Sequence, residues 1–190
     1  TRYIGVTGVQ TCALPIFKLE EGLAWSGLPL RPGQCAVEIG SAPGGASHAL
    51  LRRGLHVVGV DPGAMDPRVL ADPAFTHLQL PLGDLRREQL PAQVDWLLLD
   101  VNLAPQVALH GVRRIVSLLR PSLRGVLFTL KLNDWAMAAE VPALLQRVAG
   151  MGLGEVRATQ LPANRREICV AALAPQGGRR GSVGRPRPSC

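Results

Sequence analysis

Val37-Glu-Ile-Gly40-Ser-Ala-Pro-Gly44-Gly45 is the stretch that decides the fold. An apolar run over 35–39 feeds a glycine turn, and the turn opens into a helix start. Glycines there let the backbone approach a ligand closely, and the first N–H groups of the helix have no partner within it. The dinucleotide fingerprint GxGxxG would need glycine at position 42, which is Ala42. Asp61 ends the next apolar run, where a carboxylate can accept both hydroxyls of a ribose.

The flanking sequence repeats this alternation. Helices are predicted over 17–25 and 46–53, the second stopped by Gly54. Strands are predicted over 55–60, 75–80, 94–99 and 125–132, and further helices over 107–119 and 135–149. Two final strands, 154–161 and 168–173, are separated by a connection too short for a parallel crossover, so they should pair antiparallel. Apolar strands alternating with helices require a parallel sheet covered on both faces. The expected class is α/β and Rossmann-like: a mostly parallel sheet with an antiparallel final strand and helices on both faces. Asp61 and Asp100 fall at carboxyl ends of strands, where such sheets bind ligands.

With 190 residues, 47% of them hydrophobic, the chain can bury one ordinary core. Residues 1–16 lack periodicity and look like the in-frame translation of a sequencing adapter, so they are expected to be an artefact. The domain is expected over 17–174, with a basic, disordered Gly/Pro-rich tail over 175–190. Net charge is +7, but Arg2, Arg179, Arg180, Arg185 and Arg187 lie in those end segments; taking these five from 21 leaves 16 basic against 14 acidic residues. No apolar run reaches the length of a membrane span, and the start has no secretory pattern. The cysteines Cys12, Cys35, Cys169 and Cys190 and the scattered histidines show no metal-ligand spacing. Cys35 and Cys169 read as buried free thiols of a reducing compartment, so a cytoplasmic monomer without metal or membrane attachment is expected.

Only two of the 21 basic residues are lysines, Lys18 and Lys131. Arginine stays protonated in proteins, whereas a lysine beside other charges can approach neutrality and act as a base. Lys131 interrupts an apolar strand, which is costly unless it faces a cleft.

With Gly40-Ser-Ala-Pro-Gly-Gly45, the matching segments are Phe17-Lys-Leu-Glu-Glu21, Val60-Asp-Pro-Gly63, Asp95-Trp96 leading to Asp100, Phe128-Thr-Leu-Lys-Leu132 and Asn164-Arg-Arg-Glu167. In order and spacing, these resemble the FtsJ-type ribose 2′-O-methyltransferases. The resemblance is strongest to the branch acting on a cytidine ribose of bacterial large-subunit ribosomal RNA. It implies S-adenosyl-L-methionine as cofactor and RNA, expected to be rRNA, as partner. Carried over by position, Gly40, Ser41, Ala42, Pro43, Gly44, Gly45 and Ala46 would wrap the methionine and ribose of the cofactor. Asp61 would take the ribose hydroxyls, Asp84 the adenine side, and Asp100 would lie near the methionine amine. The catalytic set falls on Lys18, Asp100, Lys131 and Glu167, with Lys131 as general base. Ala46 stands where an aromatic is common in that family.

Each catalytic candidate has a plainer reading. Lys18 could sit on a solvated helix face, Asp100 could cap the next helix, and Glu167 could pair with Arg165 or Arg166. Arg165 and Arg166 are the best candidates for RNA phosphate contact. The low aromatic content, 4%, argues against an extensive base-stacking platform. The competing class is a non-catalytic RNA- or cofactor-binding module.

Overall fold

All five residues of β1 (Cys35–Ile39) are buried, as a strand covered on both faces requires. It pairs in parallel with β2 (His56–Val60) on one side and β4 (Trp96–Leu99) on the other. β3 (Phe75–Leu78) and β5 (Gly125–Lys131) extend the parallel set outward. β7 (Glu167–Leu173) lies antiparallel between β5 and the edge strand β6 (Val156–Thr159). The seven strands are ordered β3-β2-β1-β4-β5-β7-β6, a Rossmann-like sheet of the expected class. This computed structural model describes residues 13–132 and 134–175, without the side chains of Ala13, Leu14 and Trp135. Most of the expected adapter segment and of the Arg-rich tail therefore lies outside the described residues.

Five α-helices cover the sheet: α1 (Ala13–Ser26), α2 (Gly45–Leu51), α3 (Pro67–Leu70), α4 (Pro105–Leu119) and α5 (Val141–Ala149). α1 takes in Ala13–Ile16, four residues that the sequence reading assigned to the artefact. α4 starts two residues earlier than predicted, with Pro105 in its first turn, where a missing N–H removes no intrahelical bond. The single helix expected over 135–149 is divided into a 3-10 turn, Trp135–Glu140, and α5, which has Pro142 in its first turn. β3 and β6 are each shorter than predicted.

Period-two alternation divides the core into two apolar layers. Val37, Ile39, Leu97, Leu99, Val126, Phe128 and Leu130 face the layer that holds Val112, Ile115 and Val116 of α4 and Val148 of α5. Ala36, Trp96, Leu98, Leu127 and Ala171 face the layer that holds Leu19 and Leu23 of α1 and Leu50 of α2. Each fully buried Leu or Ile contributes roughly 1.5–3 kcal/mol. Cys169 is a buried free thiol whose ionisation burial pushes up to about 12. Cys35 is disulfide-bonded, so the free-thiol expectation holds for only one of the two.

Candidate active site

The same alternation that builds the core gathers the polar candidates on one face. Thr129 and Lys131 share parity with Leu127 on β5, and Glu167 shares parity with Cys169 and Ala171 on β7. Asp100 continues the parity of Trp96 and Leu98 just beyond β4. All of these lie on the α1 side of the sheet, and α1 carries Lys18.

The register then sets the contacts. Lys131 and Glu167 are directly opposite in the antiparallel β5–β7 pair, and Lys131 Nζ stands 3.0 Å from Glu167 Oε1. Lys18 Nζ reaches Glu167 Oε2 at 2.8 Å and Asp100 Oδ2 at 3.3 Å. The Thr129 hydroxyl donates to Asp100 Oδ1 at 2.7 Å. Four residues distant in sequence thus form one chain of charges, Asp100–Lys18–Glu167–Lys131.

The plainer readings fail on this geometry. The Lys18 side chain is only 12% exposed and is no solvated-face lysine. Ala104, not Asp100, occupies the N-cap of α4. Glu167 pairs with the two lysines, while Arg165 and Arg166 point into exposed surroundings. Burial pulls the Lys18 ammonium downward, but the interaction with Glu167 and the charge of Asp100 outweigh it, so it sits above its ordinary value. Arg165 holds φ +52, a backbone conformation that side chains rarely adopt, immediately before Arg166 and Glu167. α1 is also tied to this loop, because Glu21 accepts from the Ala163 N–H at 2.8 Å.

Beside the charge chain lies a pocket of about 120 Å³ lined by Lys18, Glu38, Gly40, Ser41, Asp100 and Thr129 among others. Two glycines make this end of the sheet possible. Gly40 has φ +83, and a Cβ there would overlap the Asp100 carbonyl oxygen. Gly44, the N-cap of α2, has φ +116 and packs against Val69 and Met65. A cradle that a Cβ would fill, edged by carboxylates, is suited to a cofactor carrying positive charge and ribose hydroxyls.

Ser41 is buried, Ala42 and Ala46 are half-buried and line the pocket, and Pro43 is exposed. Asp61 sits at the end of β2 and is half-buried; its Oδ2 accepts from the Ala42 N–H at 3.2 Å and its Oδ1 from the Gly63 N–H at 2.7 Å. It therefore pins the glycine loop. Asp84 is exposed, in the 3-10 turn Leu82–Asp84 beyond β3. Lys131 and Glu167 adjoin the pocket through Lys18 and are not among its lining residues.

The sequence reading missed Glu38, Ser47 and Thr129. Glu38 lines the pocket, is buried, and accepts from the Ser47 hydroxyl at 2.5 Å. Desolvation, with the charges of Asp100 and Asp61 behind it, pushes its carboxyl up to about 8 despite the Ser47 bond. The available signal was polarity within apolar strands, at Glu38 in CAVEI and Thr129 in GVLFTLK. Among the described residues, no group of His, Cys, Asp and Glu could hold a metal ion, and no helix is long and apolar enough to cross a membrane.

A larger cavity, about 900 Å³, lies at the opposite end of the strands. Volume favours that cleft, but the carboxylates, the lysines and the glycine loop converge at the smaller one.

Known proteins resemble this chain in sequence and in fold. Ribosomal RNA large subunit methyltransferase M of Alkalilimnicola ehrlichii is 40% identical over 177 residues, covering 86% of this chain and 46% of that protein. The protein of the same name from Halorhodospira halophila is 35% identical over 143 residues, covering 74% and 40%. The chain spans about half the length of these curated relatives. Among solved structures, magnesium protoporphyrin IX methyltransferase from Synechocystis PCC 6803, with S-adenosylmethionine bound, superposes with a TM-score of 0.60 at 17% identity, covering 91% of this chain and 86% of that one. That likeness is one of fold. The model of the FtsJ-like methyltransferase family matches residues 16–163, and the chain belongs to that family.

Proposed function

We propose that this chain transfers a methyl group from S-adenosylmethionine to a ribose 2′-hydroxyl of RNA, with large-subunit rRNA as the substrate. The observation that carries the reading is the chain Asp100–Lys18–Glu167–Lys131, whose ion pairs span 2.8 to 3.3 Å beside the Gly40 loop. Two amines and two carboxylates in one cluster suit a reaction that must orient a hydroxyl and accept its proton.

S-adenosylmethionine, when bound, supplies a methyl group already activated on sulfur. Gly40 to Ala46 would hold its methionine and ribose, Asp61 the ribose hydroxyls, Asp84 the adenine side, and Asp100 the region of the methionine amine. Lys131 Nζ is the group that accepts the 2′-hydroxyl proton. Glu167 fixes the direction of that amine through the 3.0 Å contact. Lys18, held between Asp100 and Glu167, steers the hydroxyl oxygen. Thr129 fixes the rotamer of Asp100 through the 2.7 Å bond. Arg165 and Arg166, exposed next to Glu167, contact RNA phosphates.

The test is transfer of label from methyl-tritiated S-adenosylmethionine to rRNA. Label entering RNA with the wild-type chain and not with Lys131→Ala supports the reading. Cofactor binding without transfer to any RNA would reduce the chain to a binding module.

A further inference from the structure

We infer that the end of the strands opposite the candidate active site carries a second RNA contact, a cleft that takes phosphodiester groups. This goes beyond the proposed methyl transfer and rests on it only for the identity of the polyanion. The cleft, about 900 Å³, opens at the amino-terminal ends of β1, β4 and β5. Among the described residues, three arginines line it, Arg31, Arg120 and Arg124, and no acidic residue does.

The donors are held in place. Arg124 donates through Nε to buried Asp95 at 2.6 Å, yet its side chain stays 33% exposed, so the rest of the guanidinium faces outward. Arg120 donates to the Met151 carbonyl at 2.8 Å. Its guanidinium lies where a Cβ on Gly152 would stand, so glycine there makes the room. Arg31 is exposed, and its guanidinium has no partner among the described residues.

Gln34 adds a polar group to the wall of the cleft. It is only 3% exposed and lines the cleft. Its Oε1 accepts from the Arg31 N–H at 2.7 Å and from the Trp96 indole N–H at 2.8 Å. Its amide nitrogen is a donor on the cleft wall with no acceptor among the described residues. An anionic oxygen in the cleft would satisfy it together with the arginines.

Length and charge favour a polyanion over a small anion. At about 900 Å³ the cleft exceeds a single phosphate group, and Pro175 is among the residues that line it. The sequence beyond Pro175 carries Arg179, Arg180, Arg185 and Arg187 and no acidic residue. Basic groups spread along a surface bind a phosphate backbone with strong salt dependence.

The experiment titrates a fluorescein-labelled single-stranded RNA oligonucleotide against the chain at several salt concentrations. Arg31→Glu is the main variant, because Arg31 is exposed and unpaired and its replacement leaves the core intact. Arg120→Gln is the second variant. Each is expected to weaken RNA binding about fivefold or more at low salt and to reduce the log–log salt slope by about one. Binding of S-adenosylmethionine should not change. Wild-type affinity and slope in both variants would overturn the cleft. Equal competition by poly-glutamate would also overturn it, pointing to an acidic protein partner. Methyl transfer to RNA with no Arg31 dependence sinks the cleft and leaves the proposed function standing. Arg31-dependent RNA binding without methyl transfer sinks only the proposed function.

Discussion

Replacing Glu38 with Gln should remove the pH dependence of stability that this carboxyl contributes. In the folded chain the carboxyl is raised from 4.5 to about 8, first by desolvation and then by the charges of Asp100 and Asp61. A folded pKa above the unfolded one means that the native state keeps a proton the unfolded chain has released. The stabilisation is therefore full below pH 4.5 and is lost as pH rises through about 8. Each pH unit across that window is worth about 1.4 kcal/mol, so the whole loss has a ceiling on the order of 4–5 kcal/mol. That is a large share of the ~5–15 kcal/mol that holds a domain folded.

Glu38→Gln removes the titration, and its amide oxygen can still accept from the Ser47 hydroxyl that now donates to Glu38. Urea unfolding of both proteins between about pH 5 and pH 9, at constant ionic strength and with matching m-values, isolates this one group. The variant should match the wild type near pH 5 and exceed it by several kcal/mol near pH 8.5. A difference that stays flat across the range would refute a buried, proton-holding Glu38.

Three further outcomes follow from the same geometry. Glu167→Gln leaves two half-buried lysines sharing a neutral amide, and should cost about 1.5–3 kcal/mol of unfolding free energy in urea titration. Gly40→Ala forces a Cβ onto the Asp100 carbonyl at φ +83 and should abolish S-adenosylmethionine binding in calorimetry, with a stability loss above ~2 kcal/mol. Thr129→Val removes the 2.7 Å bond that orients Asp100 and should lower kcat about tenfold, with stability falling by roughly 1 kcal/mol.

The parallel sheet could be read from sequence because strands buried on both faces appear as unbroken apolar runs, and Cys35–Ile39 is one. Gly40 was readable for a related reason: a positive φ and a close backbone approach leave few other residues possible. Lys18 and Lys131 stood out by scarcity in a chain that otherwise uses arginine. Their meeting at Glu167 was not visible locally, since it needs the β5–β7 register and a helix packed across it. Glu38 escaped because one acid within a five-residue apolar run does not disturb the strand pattern, although its burial reshapes the electrostatics of the pocket. The opening of α5 at Val141 was misplaced because periodicity runs through the preceding 3-10 turn, while Pro142 restarts the helix.

The account's central claim is that the Lys18, Asp100, Lys131 and Glu167 cluster directs methylation to a ribose hydroxyl. RNA labelled by the wild-type chain with methyl-tritiated S-adenosylmethionine should be hydrolysed in alkali and its products separated by size. A 2′-O-methyl group blocks cleavage of the adjacent phosphodiester, so the label should appear in alkali-stable dinucleotides, and Lys131→Ala should yield none. Label in mononucleotides, or undiminished dinucleotide label from Lys131→Ala, would contradict the account.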